Sequence, residues 1–277
     1  MSSPDARRRL IENARYEVVP LKSLHDQMQH LPPGSSVSVT CSPTKGIDAT
    51  LELTAEINGH GHQAVPHIAA RLVTGRDHVE KIAAALDEHG ITEIFVVGGD
   101  PDPVGPYSDG LSLMRDLLPQ CHAVRTVGFP AYPDHHSLIP DSALDAALLD
   151  KQSLLAELGL QAFASTQMCF NAKRIEQWLA DQRARGFTVP VHLGVPGVVE
   201  RARLLSLGTR LGIGSSLRYL RKNSGAILRI FSPKAYDPSK LINPLSRRAD
   251  ELQIVGLHLF TFNSIESTAA WQRKALA

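Results

Sequence analysis

The chain predicts a (βα)8 barrel, an α/β fold of one domain with extra helices between its seventh and eighth strands. Three observations carry that expectation. Eight short apolar or alternating segments are separated by segments of helical periodicity, the order that builds a parallel sheet with crossover helices. The length, 277 residues, is what one such barrel uses. Polar side chains recur where the strands end, while the strand middles are apolar. A doubly wound open sheet is the alternative. It calls for a glycine-rich turn after the first strand, and Val18-Val-Pro-Leu-Lys supplies none.

Residues 1–14 read as a polar lead-in to the domain, which spans 1–277. Arg15 to Val19 is the first strand, ended by Pro20, and a helix runs from Leu21 to about His30. Pro32-Pro33-Gly34 turns the chain into the second strand, Ser36–Thr40, and a helix follows over about Ile47–Ile57. Gln63–Ile68 is the third strand despite Pro66. Val79, Ile82, Ala83 and Leu86 share one face of a helix over Asp77–Glu88. Ile94–Val97 is a continuous apolar run, the mark of a strand buried on both faces. Gly98 and Gly99 then open the backbone before Asp100, and Pro101 and Pro103 forbid further pairing.

The second half repeats the alternation. A helix over Leu111–Leu118 precedes strand five, Ala123–Gly128. The helix Ser142–Leu158 is closed by Gly159, and strand six is Ala162–Thr166. A helix over Ala172–Arg185 stops at Gly186 before strand seven, Val189–Gly194. Two or three helices fill Val199 to about Glu251, of which Gly212–Asp250 exceeds what one crossover needs. Leu257–Phe262 is strand eight, and Ser264 caps a last helix.

Composition narrows the function classes. The formal net charge is +1, with no basic stripe to neutralise phosphates, so no nucleic-acid partner is expected. Arg7-Arg8-Arg9 is a short solvated run. No stretch is long and apolar enough for a bilayer, and no hydrophobic signal region is present, so a cytoplasmic protein without a membrane partner is expected. Cys41, Cys121 and Cys169 are odd in number and far apart, which implies neither a disulfide framework nor a zinc knuckle.

The active site of such a barrel lies at the C-terminal ends of its strands. Those ends carry Glu17, Thr40, His67, Asp100, Tyr132, Gln167, His192 and Asn263. Each has a structural reading: Thr40 as a turn residue, His67 as a satisfied core histidine, Gln167 as a helix cap. Together they describe a polar basin. No lysine stands at a strand end for Schiff-base chemistry. His60-Gly-His62 and Asp134-His135-His136 are the local metal candidates, the former lies on the wrong side, and no metal is expected. Gly212-Ile-Gly-Ser-Ser could seat a phosphate or be an ordinary helix start. Cys41 and Cys169 lack a placed base. Two carboxylates remain, Glu17 and Asp100. A carboxyl sheltered from water can stay protonated and act as a general acid, which suits proton donation to a nitrogen beside a developing cation.

Six segments, in order and each at its strand, resemble the methylenetetrahydrofolate reductase family in its barrel-only form. They are Tyr16-Glu-Val-Val-Pro20, Val37–Thr40 with Pro66-His67, Gly99-Asp100-Pro101, Ala131-Tyr-Pro-Asp-His-His136, Thr166-Gln167 with Phe170-Asn171, and His258–Asn263. The likeness spans about residues 15–275. It implies reduction of 5,10-methylenetetrahydrofolate to 5-methyltetrahydrofolate with NADH or NADPH, a step of one-carbon metabolism that feeds methionine biosynthesis. Carried over, Glu17 would protonate folate N10 and open the ring. Asp100 would bind the pterin and stabilise positive charge, and Gln167 would hydrogen-bond the pterin edge. Thr40, His67, Tyr132 and His136 match positions that line the family's flavin site.

Two departures bear on the cofactor. Gly98 stands where the family has Arg before Gly-Asp, and Leu155 where it has a lysine. Losing those cations argues against bound FAD and for the family's flavin-independent branch, with the nicotinamide ring in the flavin's place. No compact Arg cluster marks a 2′-phosphate site, which favours NADH over NADPH. The other readings are a non-catalytic folate-binding subunit of a methyl-transfer complex and a related barrel reductase with a non-folate substrate. A homo-oligomer is compatible with the chain.

Overall fold

The structure, a computed structural model, describes residues 3–200, 204 and 236–277. Its strands are β1 (Ala14–Val18), β2 (Ser36–Val39), β3 (Gln63–Ala69), β4 (Glu93–Val97), β5 (Thr126–Ala131), β6 (Gln161–Thr166), β7 (Val191–Pro196) and β8 (Ile254–Phe260). Each pairs in parallel with the next, and β8 returns to β1 to close the barrel. The expected (βα)8 architecture is the one observed. The described helices are α1 (Ser3–Glu12), α2 (Leu24–Met28), α3 (Gly46–Gly59), α4 (Arg76–Glu88), α5 (Gly110–Leu117), α6 (Asp141–Glu157), α7 (Ala172–Ala184), α8 (Ser239–Leu245) and α9 (Ile265–Leu276). The long insertion before β8 is described only from residue 236, where it contains α8 and a short 3-10 turn at Ser246–Arg248. The Gly212-Ile-Gly-Ser-Ser motif and the first part of that insertion lie outside the described residues.

Alternation on the strands assigns the two faces. Tyr16 and Val18 of β1 are buried outward beneath the helices, and Arg15 and Glu17 point into the barrel. On β8, Leu257 and Leu259 pack outward while His258 and Phe260 turn inward. Most of the apolar core is the layer between sheet and helices. A small second cluster of Val65, Phe95 and Phe163, with Val97 against it, fills the barrel's centre.

That centre accommodates two phenyl rings because the strands facing them carry glycine. A Cβ at Gly128 would lie 2.2 Å from Phe163 Cζ and 2.4 Å from Phe95 Cδ2. At Gly194 it would meet the backbone oxygen of Thr166 at 1.8 Å. Below the plug, on the floor, Arg15 pairs with Glu93 and lies 4.2 Å from the centre of the Phe163 ring.

Several boundaries differ from the sequence expectation, among them the following. The polar lead-in is a helix: Ala6, Leu10 and Ile11 of α1 are buried, and Asn13 O accepts from Leu257 N beneath the barrel. Its other residues are polar, so the apolar face is too thin to announce a helix in sequence. Strand five starts at Thr126 rather than Ala123, because the Arg125 and Thr126 amides both donate to Thr92 O before the ladder begins. Strand seven starts at Val191, with a register irregularity between Val191 and His192. Strand eight starts three residues earlier than Leu257, at Ile254. Among the described residues no helix is long and apolar enough to cross a membrane.

Replacing Gly128 by Ala forces a methyl group against two rings with no free side, so it should destabilise by about 1–3 kcal/mol. Urea unfolding at equilibrium measures this. An unchanged midpoint would mean that the central rings can shift and the plug is loosely packed.

Candidate active site

The barrel mouth brings most of the expected residues together, with two exceptions and two additions. Glu17, on the next-to-last position of β1, is largely enclosed, its side chain 12% exposed. Its Oε2 lies 2.8 Å from Nε2 of His258, whose side chain is 2% exposed. Arg15, two residues before Glu17 on β1, is the cation nearest to it in the sequence. The structure gives Arg15 to Glu93 instead, and Glu17 takes a histidine from the strand that closes the barrel.

His67, on β3, stands beside this pair. Its ring is 6.3 Å from that of His258 and 4.7 Å from that of Phe95. Burial pushes its imidazole down to about 4, against a smaller upward pull from Glu17. It is neutral at pH 7, and its Nε2 finds no hydrogen-bond partner among the described residues. Donor atoms of Glu17, His67 and His258 all fall within 4.8 Å of one another. Two ligands of one tetrahedral ion at metal–donor distances of about 2.0–2.1 Å stand roughly 3.3 Å apart. The Glu17–His258 contact is shorter than that, the separation of a hydrogen-bonded pair.

Asp100 follows β4 by three residues and is exposed, so of the two carboxylates only Glu17 is sheltered. Gly99 before it has φ +99°, a conformation that favours glycine. The charge of Asp100 reaches the next loop. Burial first and Asp100 second push the Tyr132 phenol up to about 12. Burial pulls His136 down, while Asp100 pulls it up. The Tyr132 and His136 rings meet edge to face at 5.1 Å. Gln167 directly follows β6, and its Oε1 accepts from Met168 N at 2.8 Å, which leaves its amide hydrogens for another partner. It caps no helix; Asn171 caps α7, accepting from Arg174 N. Thr40 follows β2, where its amide donates to Val18 O.

His192 and Asn263 are the exceptions. Because strand seven starts at Val191, His192 sits on the barrel floor near Arg15, with 3.4 Å between Nε of the arginine and Nε2 of the ring. Asn263 has φ +61° and uses its amide on the backbone of Val19, accepting from N and donating to O, both at 2.9 Å. It ties the end of β8 to the end of β1.

His258 and Arg71 are the additions. His258 could have been found from the alternation of strand eight, which turns it inward. Arg71 lies in a 3-10 turn after β3, and its amide donates to Gly98 O at 2.9 Å. A Cβ at Gly98 would meet nothing within 4 Å, so the space a longer side chain would fill there is open beside Arg71. A similar substitution in space occurs on α6. Leu155 is fully buried, but Lys151 stands one turn earlier on the same face. Lys151 lies over the Phe129 ring at 5.4 Å and makes no hydrogen bond or ion pair with the described residues. Burial lowers its amine to about 8, with Asp109 pulling the other way. It opens on a cavity of about 300 Å³ bounded also by Tyr132, Arg174, Trp178 and the Arg185–Asp145 pair. A cation thus stands close to each position where the sequence lacks one, Arg71 beside Gly98 and Lys151 one helical turn from Leu155.

No family model matches the chain. Among solved structures, it is similar to a protein of Clostridium thermocellum that binds two copies of 5-methyl-5,6,7,8-tetrahydrofolic acid, with TM-score 0.66, 16% identity and 94% of each chain covered. It is also similar to the carboxyl transferase domain of pyruvate carboxylase from Rhizobium etli, with TM-score 0.50 and 10% identity over 97% of this chain and 47% of that one. At these identities the likeness is one of fold.

The depressed His67 makes stability depend on pH with a defined sign. Its folded value lies below the ordinary 6.5, so the unfolded chain binds the proton first. The contribution is complete above pH 6.5 and lost as pH falls through 4, a swing of about 3 kcal/mol. Urea midpoints measured between pH 7.5 and 4 should fall more steeply for the wild type than for His67→Gln. Parallel curves would show that His67 titrates alike in the folded and unfolded chain.

Proposed function

We propose that the chain is a folate-dependent reductase. It takes 5,10-methylenetetrahydrofolate at the barrel mouth and reduces it to 5-methyltetrahydrofolate with NAD(P)H. The observation that carries this reading is Glu17: one sheltered carboxyl, hydrogen-bonded to a buried histidine, facing a mouth lined with neutral donors and acceptors. A pure binding surface has little use for a carboxyl placed at the desolvation cost of that position. The binding of 5-methyltetrahydrofolate by a protein of the same fold adds support for a reduced folate as ligand.

In this reading Glu17 gives a proton to N10, the five-membered ring opens, and the exocyclic carbon becomes an electrophilic iminium. Asp100, on its glycine turn, lies against the pterin and offsets the positive charge as it develops. Gln167 presents its amide hydrogens to the pterin edge. The phenyl plug of Phe95 and Phe163 closes the floor of the site to water. The nicotinamide cosubstrate, with NADH favoured over NADPH, supplies the hydride. Arg71 and Lys151 are this chain's candidates for the dinucleotide's phosphates.

A second reading, the non-catalytic folate binder, is favoured by one observation: the protein of Clostridium thermocellum is described by what it binds. Oxidation of NADH that depends on methylenetetrahydrofolate separates the two.

Glu17→Gln should preserve fold and folate binding but slow reduction by roughly 10²–10⁴, on the order of 3–5 kcal/mol of barrier. A quinonoid dihydropterin needs no ring opening, so the variant should reduce it far better than it reduces methylenetetrahydrofolate. Equal loss on both acceptors would remove Glu17 from the role of acid.

The absorbance spectrum of the purified protein addresses the cofactor. Little or no flavin band is expected. Gly98 offers no side chain to a phosphate, and Leu155 stands where the family resemblance implies a lysine. Stoichiometric FAD surviving dialysis would overturn the flavin-free reading and leave the reductase reading standing.

A further inference from the structure

We propose that His258 is the positioning residue of Glu17, holding the carboxyl so that one oxygen faces inward and the other carries the transferable proton to the substrate. This rests on the reductase reading above. The geometry leaves the ring little else to do. His258 Nε2 meets Glu17 Oε2 at 2.8 Å, and Nδ1 has no partner among the described residues. Phe260 packs against the ring at 5.0 Å and Phe95 at 6.2 Å, so it has little room to turn.

The charged and titratable groups around the ring are few. Glu17 and Arg15 come from β1, His67 from β3 and His192 from β7. Arg15 is matched by Glu93, also on the floor. His192 is held well below its ordinary value, by burial first and Arg15 next, and His67 is low as well. Neither neighbouring imidazole therefore brings a charge at pH 7 that would compete for the carboxylate.

The proton account closes without a proton joining or leaving the His258 ring. Nε2–H donates to Oε2 before and after the step. The proton on Oε1 passes to N10, the bond from N10 to the methylene carbon breaks, and its electron pair stays on N10. Glu17 is left a carboxylate whose Oε2 already accepts from Nε2–H, and a hydrogen bond to the charged form is stronger than to the neutral one. The histidine thus favours the product side of the transfer. Glu17 regains its proton from solvent between turnovers.

The test is a double-mutant cycle on reduction of methylenetetrahydrofolate, with His258→Leu, His258→Gln, Glu17→Gln and the pair Glu17→Gln/His258→Leu. His258→Leu should lower kcat on the order of 10–100-fold, the worth of one hydrogen bond to a charged group, with folate affinity little changed. Its kcat should also keep its value to higher pH, because the carboxylate has lost its donor. His258→Gln, whose amide can reach the place of Nε2–H, should recover part of the rate. Adding His258→Leu to Glu17→Gln should cost nothing further, since the histidine acts through the acid. Two results would overturn the proposal: full additivity in the double variant, or an unmoved pH limb in a folded His258→Leu protein. The quinonoid acceptor keeps the two claims apart. If the wild type oxidises no NADH with methylenetetrahydrofolate, the reductase reading fails; if Glu17→Gln loses rate equally on both acceptors, Glu17 is not the acid; if it discriminates as expected and the cycle is additive, only the role of His258 fails.

Discussion

The ion pair between Arg15 and Glu93 is the constraint on which the rest of the barrel interior depends. A closed barrel of eight strands has room inside for side chains and little else, so a charge turned inward must find its counter-charge there. Two acids and one arginine enter this interior near one another: Arg15 and Glu17 two residues apart on β1, and Glu93 at the start of β4. Glu93 takes the arginine at the floor. Arg15 also stacks on Phe163, and with Phe95 that ring separates the floor from the mouth. Glu17 is thereby released from its nearest cation in sequence and left to hydrogen-bond with His258. Had Arg15 reached up to it, the mouth would hold a permanent ion pair and no acid.

The strands were legible because alternation and apolar runs are local signals, and the order β-α-β leaves few topologies open. Their ends were less so. A buried parallel strand reads as continuously apolar, so nothing in Val189–Gly194 marks where pairing starts; the ladder to β8 does, with its irregularity at Val191 and His192. A slip of two residues there is enough to send His192 from mouth to floor. Asn263 was placed correctly at a strand end and still misread. Its left-handed backbone and its two bonds to Val19 belong to barrel closure, a requirement that arises only once β8 meets β1.

The candidate site was legible residue by residue but not as pairs. Glu17, Asp100, Gln167, Tyr132 and His136 all lie at or just beyond the C-terminal strand ends, as a barrel of this kind requires. The partner of Glu17 comes from the far end of the chain, 241 residues on, and no spacing rule connects them. The same holds for the cations. Comparison by position marks Gly98 and Leu155 as losses, whereas the fold brings Arg71 to the carbonyl of Gly98 and sets Lys151 one helical turn before Leu155. A charge required at a place in space can be supplied from any loop that reaches it.

The two carboxylates of the mouth show how one residue class is divided between two tasks by surroundings. Glu17 is enclosed and hydrogen-bonds with one histidine, whose ring packs against Phe95 and Phe260. Asp100 is exposed on a glycine turn past β4, and its charge is felt by Tyr132 and His136 across the loop. A proton donor needs shelter, while a group that offsets a developing cation needs to keep its charge where the substrate will lie. The strand that ends early, at Val97, supplies the second, and the strand that keeps its acid inside the ladder supplies the first. The difference between them is set by where each strand stops relative to its neighbours.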